Sequence, residues 1–72
     1  MIIYLVLRVG SKGTQVRNLQ LDLNYLLGSG LVVDGDFGNN TKNALMTFQR
    51  KYGLGVDGIY GNQSYGKMKE LL

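Results

Sequence analysis

The 72-residue chain contains no cysteine, no histidine and no proline. Without cysteine it has no disulfide, no thiolate ligand and no thiol nucleophile. Without histidine it also lacks the commonest metal ligand and the commonest general acid–base. No cofactor or metal is therefore expected. A chain this short buries only about 60% of the surface that its unfolded form exposes, and small domains often add a disulfide or a metal in compensation. Here an apolar core has to hold the fold alone. Charge of one sign is also scarce, since eight Lys/Arg face five Asp/Glu, for a net +3. The basic residues (Arg8, Lys12, Arg17, Lys42, Arg50, Lys51, Lys67, Lys69) are scattered, with Arg50-Lys51 the one adjacent pair. Nucleic-acid binders cluster such charge on one face. This balance offers mild attraction to an anionic surface at most, and neither nucleic acid nor a membrane is expected as partner.

Long hydrophobic runs are absent as well. Residues 1–7 (Met1-Ile-Ile-Tyr-Leu-Val-Leu7) are apolar but far short of the roughly 20 residues that cross a bilayer. No basic residues precede them and no small-residue cleavage site follows, so a signal peptide is not expected. The run reads as an extended N-terminal arm laid on the core of a single domain spanning 1–72.

What the chain does have is repetition. Gly30-Leu-Val-Val-Asp-Gly-Asp-Phe-Gly-Asn-Asn-Thr41 returns 23 positions later as Gly53-Leu-Gly-Val-Asp-Gly-Ile-Tyr-Gly-Asn-Gln-Ser64, with seven of the twelve pairs identical. One structural unit used twice is the simplest reading. Helical periodicity surrounds it. Val16, Leu19, Leu23, Leu26 and Leu27 form one apolar stripe after Gly10-Ser-Lys-Gly13, where Ser11 or Thr14 is the expected cap, and Gly28 ends that helix. A second helix begins near Gly38-Asn39, carries Thr41, Ala44, Leu45, Phe48 and Tyr52, and stops at Gly53. A third begins near Gly61-Asn62 and carries Ser64, Tyr65, Met68, Leu71 and Leu72 to the end of the chain. Val33-Asp34-Gly35 and Val56-Asp57-Gly58 each pair a buried aliphatic with an Asp-Gly turn. The expected fold is all-α, a compact three-helix bundle with two repeated Asp-Gly turn-to-helix connections.

The repeat has the chemistry of scaffolding. Catalytic carboxylates need different environments to play different roles, whereas Asp34 and Asp57 sit in nearly the same local sequence, so each is expected to fasten its own turn. A calcium loop starting at Asp34 would need ligands at Gly38 and Leu45, which have none to offer. Gly10-Ser-Lys-Gly-Thr14 lacks the order of a phosphate-binding loop. Phe37 and Tyr60 share one repeat position and are expected to plug the space between loop and helices. The Tyr60 hydroxyl also wants a partner or water, which gives Tyr60 and Tyr65 more weight as surface contacts. Asn39, Asn40, Asn62 and Gln63 at the helix starts suit capping. Their amides also suit a neutral ligand rich in hydroxyl and amide groups.

These residues resemble the peptidoglycan-binding domain attached to bacterial and phage cell-wall hydrolases. That family shows a Gly-x-x-Gly helix start, Val-x-x-Leu-Gln, then Val-Asp-Gly-x-Phe-Gly-x-x-Thr-x-x-Ala-Val-x-x-Phe-Gln, and Gly-Leu-x-Val-Asp-Gly-x-x-Gly. The chain supplies Gly10-Ser-Lys-Gly13, Val16-Arg-Asn-Leu-Gln20, Val33-Asp-Gly-Asp-Phe-Gly-Asn-Asn-Thr-Lys-Asn-Ala-Leu-Met-Thr-Phe-Gln49 and Gly53-Leu-Gly-Val-Asp-Gly-Ile-Tyr-Gly61. Asn39 and Asn62 stand where the family often has proline, and Tyr65 where tryptophan is common. The resemblance implies a non-catalytic module at the cell wall or extracellular face. It would anchor a hydrolase (endolysin, autolysin or amidase), in cis or in trans, to the glycan or stem peptide of peptidoglycan. A related pro-segment of metalloproteases carries a cysteine switch, which this chain lacks. Polarity and position single out Tyr60, Asn62, Gln63 and Tyr65, then Asp36, Asn39 and Asn40, as ligand contacts, with no catalytic residue. The rival reading is a protein–protein interaction or oligomerisation module of the same small helical fold.

Overall fold

A glycine stands immediately before each helix. In the computed structural model, which describes residues 6–72, α1 spans Thr14–Leu27, α2 Asn39–Lys51 and α3 Asn62–Leu71. Gly13, Gly38 and Gly61 hold the cap positions, and none of the three helices has a side-chain cap. The expected capping is thus corrected. Ser11 turns back, its hydroxyl accepting the Arg8 N–H at 3.0 Å. Thr14, Asn39 and Asn62 already lie inside their helices, one position beyond the point from which a side chain reaches the free first-turn amides. α1 ends as its sequence predicts, with Gly28 left-handed at φ 63° and its N–H on the Asn24 carbonyl. The helices and their two connections give the all-α class expected.

The core draws on the connections as much as on the helices. Val16, Leu19 and Leu23 of α1, Leu45 and Phe48 of α2 and Met68 of α3 close around Leu7, Phe37 and Tyr60, which come from outside the helices. Both aromatic residues of the repeat are therefore plugs, as their shared position suggested. Short backbone pairings hold them in place. Leu7 and Tyr60 exchange N–H···O bonds of 3.1 and 2.8 Å, and Phe37 donates to Ser11 while accepting from Gly10. Leu7 thus carries the described end of the N-terminal arm onto the core; the arm's residues 1–5 lie outside the described residues. Three apolar residues expected inside are exposed: Val56 beside its turn, and Leu71 and Leu72 at the end of α3.

Two buried glutamines clamp the repeated turns. Gln20 Nε2 donates to the Asp34 carboxylate, the Asp36 carbonyl and the Thr41 hydroxyl, each at 3.1 Å. Its Oε1 accepts the N–H groups of Asp34 and Gly35. Gln49 repeats every one of these bonds, with Asp57, Ile59 and Ser64 as acceptors and Asp57 and Gly58 as donors. The amide orientation follows from the partners, since the reverse would set oxygen against oxygen. In each turn the Asp carboxylate also accepts the N–H two residues on, at 2.9 Å. Asp34 and Asp57 therefore serve their own turns. Gly35 and Gly58, at φ 75° and 72°, supply the left-handed step between.

The copies differ in length. Fourteen residues separate Gln20 from Asp34, but only eight separate Gln49 from Asp57. The surplus lies chiefly in the helix: α1 runs on from Gln20 to Leu27, whereas α2 ends at Lys51, two residues past Gln49, and the connecting segments that follow, residues 28–33 and 52–56, differ by one residue.

Candidate functional site

A groove of about 400 Å³ runs between α1 and α3. From α1 it receives Gln15, Asn18 and Asp22, each about one turn from the next, beside the core residue Leu19; from α3 it receives Tyr65 and Lys69 beside Met68, with Leu7 and Tyr60 also in its lining. Tyr60 and Tyr65 meet edge to face, their ring centroids 6.3 Å apart. The Lys69 ammonium lies 5.6 Å from the centre of the Tyr65 ring. Burial pushes the Tyr60 phenol up to about 12, helped by the nearby Asp22 carboxylate and Tyr65. The Asp22 carboxyl is itself raised by burial, with the Lys69 charge opposing. One wall of the groove thus carries an acid and the other a base, beside an aromatic edge.

The sequence-derived contacts separate into three places. Tyr60 and Tyr65 come together in this groove, although Tyr60, only 9% exposed, belongs to the core rather than to the surface. Asp36, Asn39 and Asn40 line a concavity of about 260 Å³ at the start of α2; Asp36 there pairs with Lys12 at 3.1 Å. Asn62 and Gln63 are exposed at the start of α3 and line neither hollow, and Gln63 Oε1 accepts the Gly55 N–H. Sequence reasoning missed Gln15, Asn18, Asp22 and Lys69. The first three recur at the i, i+3, i+7 spacing of one helix face, a signal that also fits a solvated surface.

Comparison with known proteins gives this arrangement a context. Residues 12–68 match a family profile described as "Putative peptidoglycan binding domain". The chain belongs to this peptidoglycan-binding family. It is 44% identical over 64 residues to the zinc D-Ala-D-Ala carboxypeptidase of Streptomyces albus G, covering 86% of this chain and 25% of that enzyme. It is 41% identical over 66 residues to a probable N-acetylmuramoyl-L-alanine amidase of Bacillus licheniformis, covering 88% of this chain and 19% of that one. The chain therefore spans a quarter or less of the length of these relatives. The crystal structure of the SleB N-terminal domain superposes with a TM-score of 0.90 at 35% identity, covering 99% of this chain and 97% of that one. A Burkholderia AP3 phage endolysin follows at 0.85 and 36%, covering 92% of this chain and 25% of the endolysin. The peptidoglycan-binding domain is a non-catalytic cell-wall module, found joined to catalytic hydrolase domains in such relatives.

Proposed function

We propose that this peptidoglycan-binding domain takes the stem peptide of its polymer in the groove between α1 and α3, and so keeps a hydrolase close to its bonds. The supporting observation is the pairing of Asp22 on one wall with Lys69 on the other, beside the half-buried Tyr65 ring. A peptide bearing both amine and carboxylate complements two such charges, and Gln15 and Asn18 can donate to and accept from its amides. Tyr60, fixed in the core, acts as the rigid wall. Asn62, Gln63, Asp36, Asn39 and Asn40 contribute as outer contacts with the bulky polymer. Binding is weak at each site and gains through tethering, because a linked enzyme meets its substrate at the effective concentration its linker sets.

Co-sedimentation with purified sacculi tests the reading. The chain is expected to pellet with them at low salt, and Lys69→Gln and Asp22→Asn are each expected to weaken binding about three- to tenfold. A free stem pentapeptide should compete. A chain that stays in the supernatant at low salt would overturn wall binding. Undiminished binding by both variants would overturn the choice of groove.

A further inference from the structure

Among aspartyl dipeptides, Asp-Gly is the one most prone to rearrange its own backbone, and the chain holds it twice, at Asp34-Gly35 and Asp57-Gly58. In that reaction the glycine nitrogen attacks the aspartyl Cγ, a C–N bond forms and one water leaves, giving a five-membered succinimide. Water then reopens the ring at either carbonyl. Opening at the former main-chain carbonyl leaves isoaspartate, with the chain running through Cβ. No oxidant or cofactor is needed, and glycine has no Cβ to hinder the attack. Three conditions govern the rate. The nitrogen has to be free of its acceptor, the carboxyl has to be protonated so that water can leave, and it has to swing over the nitrogen.

In the folded chain one glutamine opposes all three. Gln49 Oε1 accepts the Gly58 N–H at 3.0 Å and so occupies the nucleophile. Gln49 Nε2 donates to the Asp57 carboxylate at 2.9 Å, which favours the ionised form and, with the Ile59 N–H at 2.9 Å, keeps it tied in place. Gln20 does the same for Asp34-Gly35. Rearrangement at either turn therefore waits for its clamp to open, a local event that need not unfold the whole chain. The clamps match, but their surroundings do not. The Gly35 carbonyl accepts the Gly13 N–H at 2.9 Å, and Lys12 pairs with Asp36 at 3.1 Å. The Gly58 carbonyl accepts no backbone N–H among the described residues, and Ile59 stands where Asp36 forms its ion pair. Three residues before Gln20, Arg17 donates to the Val33 carbonyl; three before Gln49 stands Met46, which has no side-chain donor. The bond that the second copy has in exchange, from the Gly55 N–H to Gln63, is solvent-exposed and lies outside the turn.

We infer that Asp57-Gly58 is the covalent ageing site of this chain, where opening of the Gln49 clamp lets the main chain rearrange to isoaspartate, and that Asp34-Gly35, fastened from a second side, is spared. The product locks itself in. One methylene is added to the main chain, so the N–H groups of residues 57 and 58 no longer have the spacing that Gln49 Oε1 spans, and the clamp does not reclose. No ligand takes part.

Incubation of the folded chain in mildly acidic H₂¹⁸O tests it, followed by proteolysis and mass spectrometry with fragmentation that separates isoaspartate from aspartate. Each ring opening writes one ¹⁸O into the residue that rearranged. Once each position is normalised to its own rate in urea, position 57 is expected to lead position 34 about tenfold. Gln49→Ala should raise conversion at position 57 alone. Leu45→Ala, which empties part of the core, should raise both positions together through global opening. Equal normalised rates in the folded chain, a lead by position 34, or no conversion at position 57 over a period in which the urea-unfolded chain converts would each overturn the inference. So would an equal rise at both positions in a Gln49→Ala variant that keeps its helical circular dichroism. If that variant does not fold, the two turns within the parent chain decide the matter by themselves.

Discussion

A glutamine buried among leucines and phenylalanines is tolerated only when each of its polar atoms is paired, and Gln49 meets that condition with five partners. Gln49→Ala should therefore lower the unfolding free energy by about 2–4 kcal/mol, because it strands the N–H groups of Asp57 and Gly58 as well as removing favourable bonds. Chemical denaturation measures the loss directly. Gln49→Glu separates shape from charge. An ionised glutamate cannot donate to the Asp57 carboxylate and repels it, so this variant is expected to be unstable at neutral pH and to gain stability as acid restores its donor. The parent protein should show the opposite trend. Neither glutamine announced its role in the sequence. Each is one polar residue at the edge of an apolar stripe, and its partners lie eight or fourteen residues ahead in turns whose shape has to be known first. The aromatic plugs were easier to read, since Phe37 and Tyr60 occupy one repeat position. Whether the Tyr60 hydroxyl reached the surface depended on how closely Leu7 and α3 covered it.

Among the elements, helix positions were legible because glycine punctuates them, and the capping chemistry was not. Gly38 has an extended conformation, at φ −106°, with open space around the place of a Cβ. A serine there can accept the first-turn N–H groups that now have no side-chain partner, so Gly38→Ser should stabilise the protein by about a few tenths of a kcal/mol. Gly58→Ala is the contrasting case. Its φ is positive, and the new Cβ would lie 2.9 Å from Lys42 Cγ. The lysine can swing away, but the left-handed backbone strain remains, for an expected loss of about 1–2 kcal/mol. A pair of melting curves, one shifted slightly up and the other down, would check both. Unequal connection lengths were visible in the spacing of the repeat, yet their effect was not. Seeing how residues 28–33 are held requires knowing that Asn24 captures both peptide groups of Leu31.

For the whole molecule, stability is bounded by acid on one side and alkali on the other. Backbone N–H groups of Asp36 and Ile59, with the Gln20 and Gln49 amides, hold the carboxyls of Asp34 and Asp57 below the ordinary value of 3.8. Their stabilisation is present above that value and is lost as pH falls below it. Because the two clamps are alike, both should fail over the same acid range, and Asp34→Asn/Asp57→Asn should flatten that limb of the stability curve. Tyr60 acts at the other end. With its phenol moved from 10.0 to about 12, stability should fall as pH rises above 10, and Tyr60→Phe should remove that loss. A last consequence concerns Leu7 and Leu72, nearly the full chain apart in sequence and yet both in the lining of the α1/α3 groove. A cargo joined after Leu72 would leave the fold at the rim of the groove proposed to take the stem peptide. A fluorescent reporter fused there through a short leash should then be quenched by a dye-labelled stem peptide, and a reporter that stays bright at saturating peptide would place the peptide elsewhere.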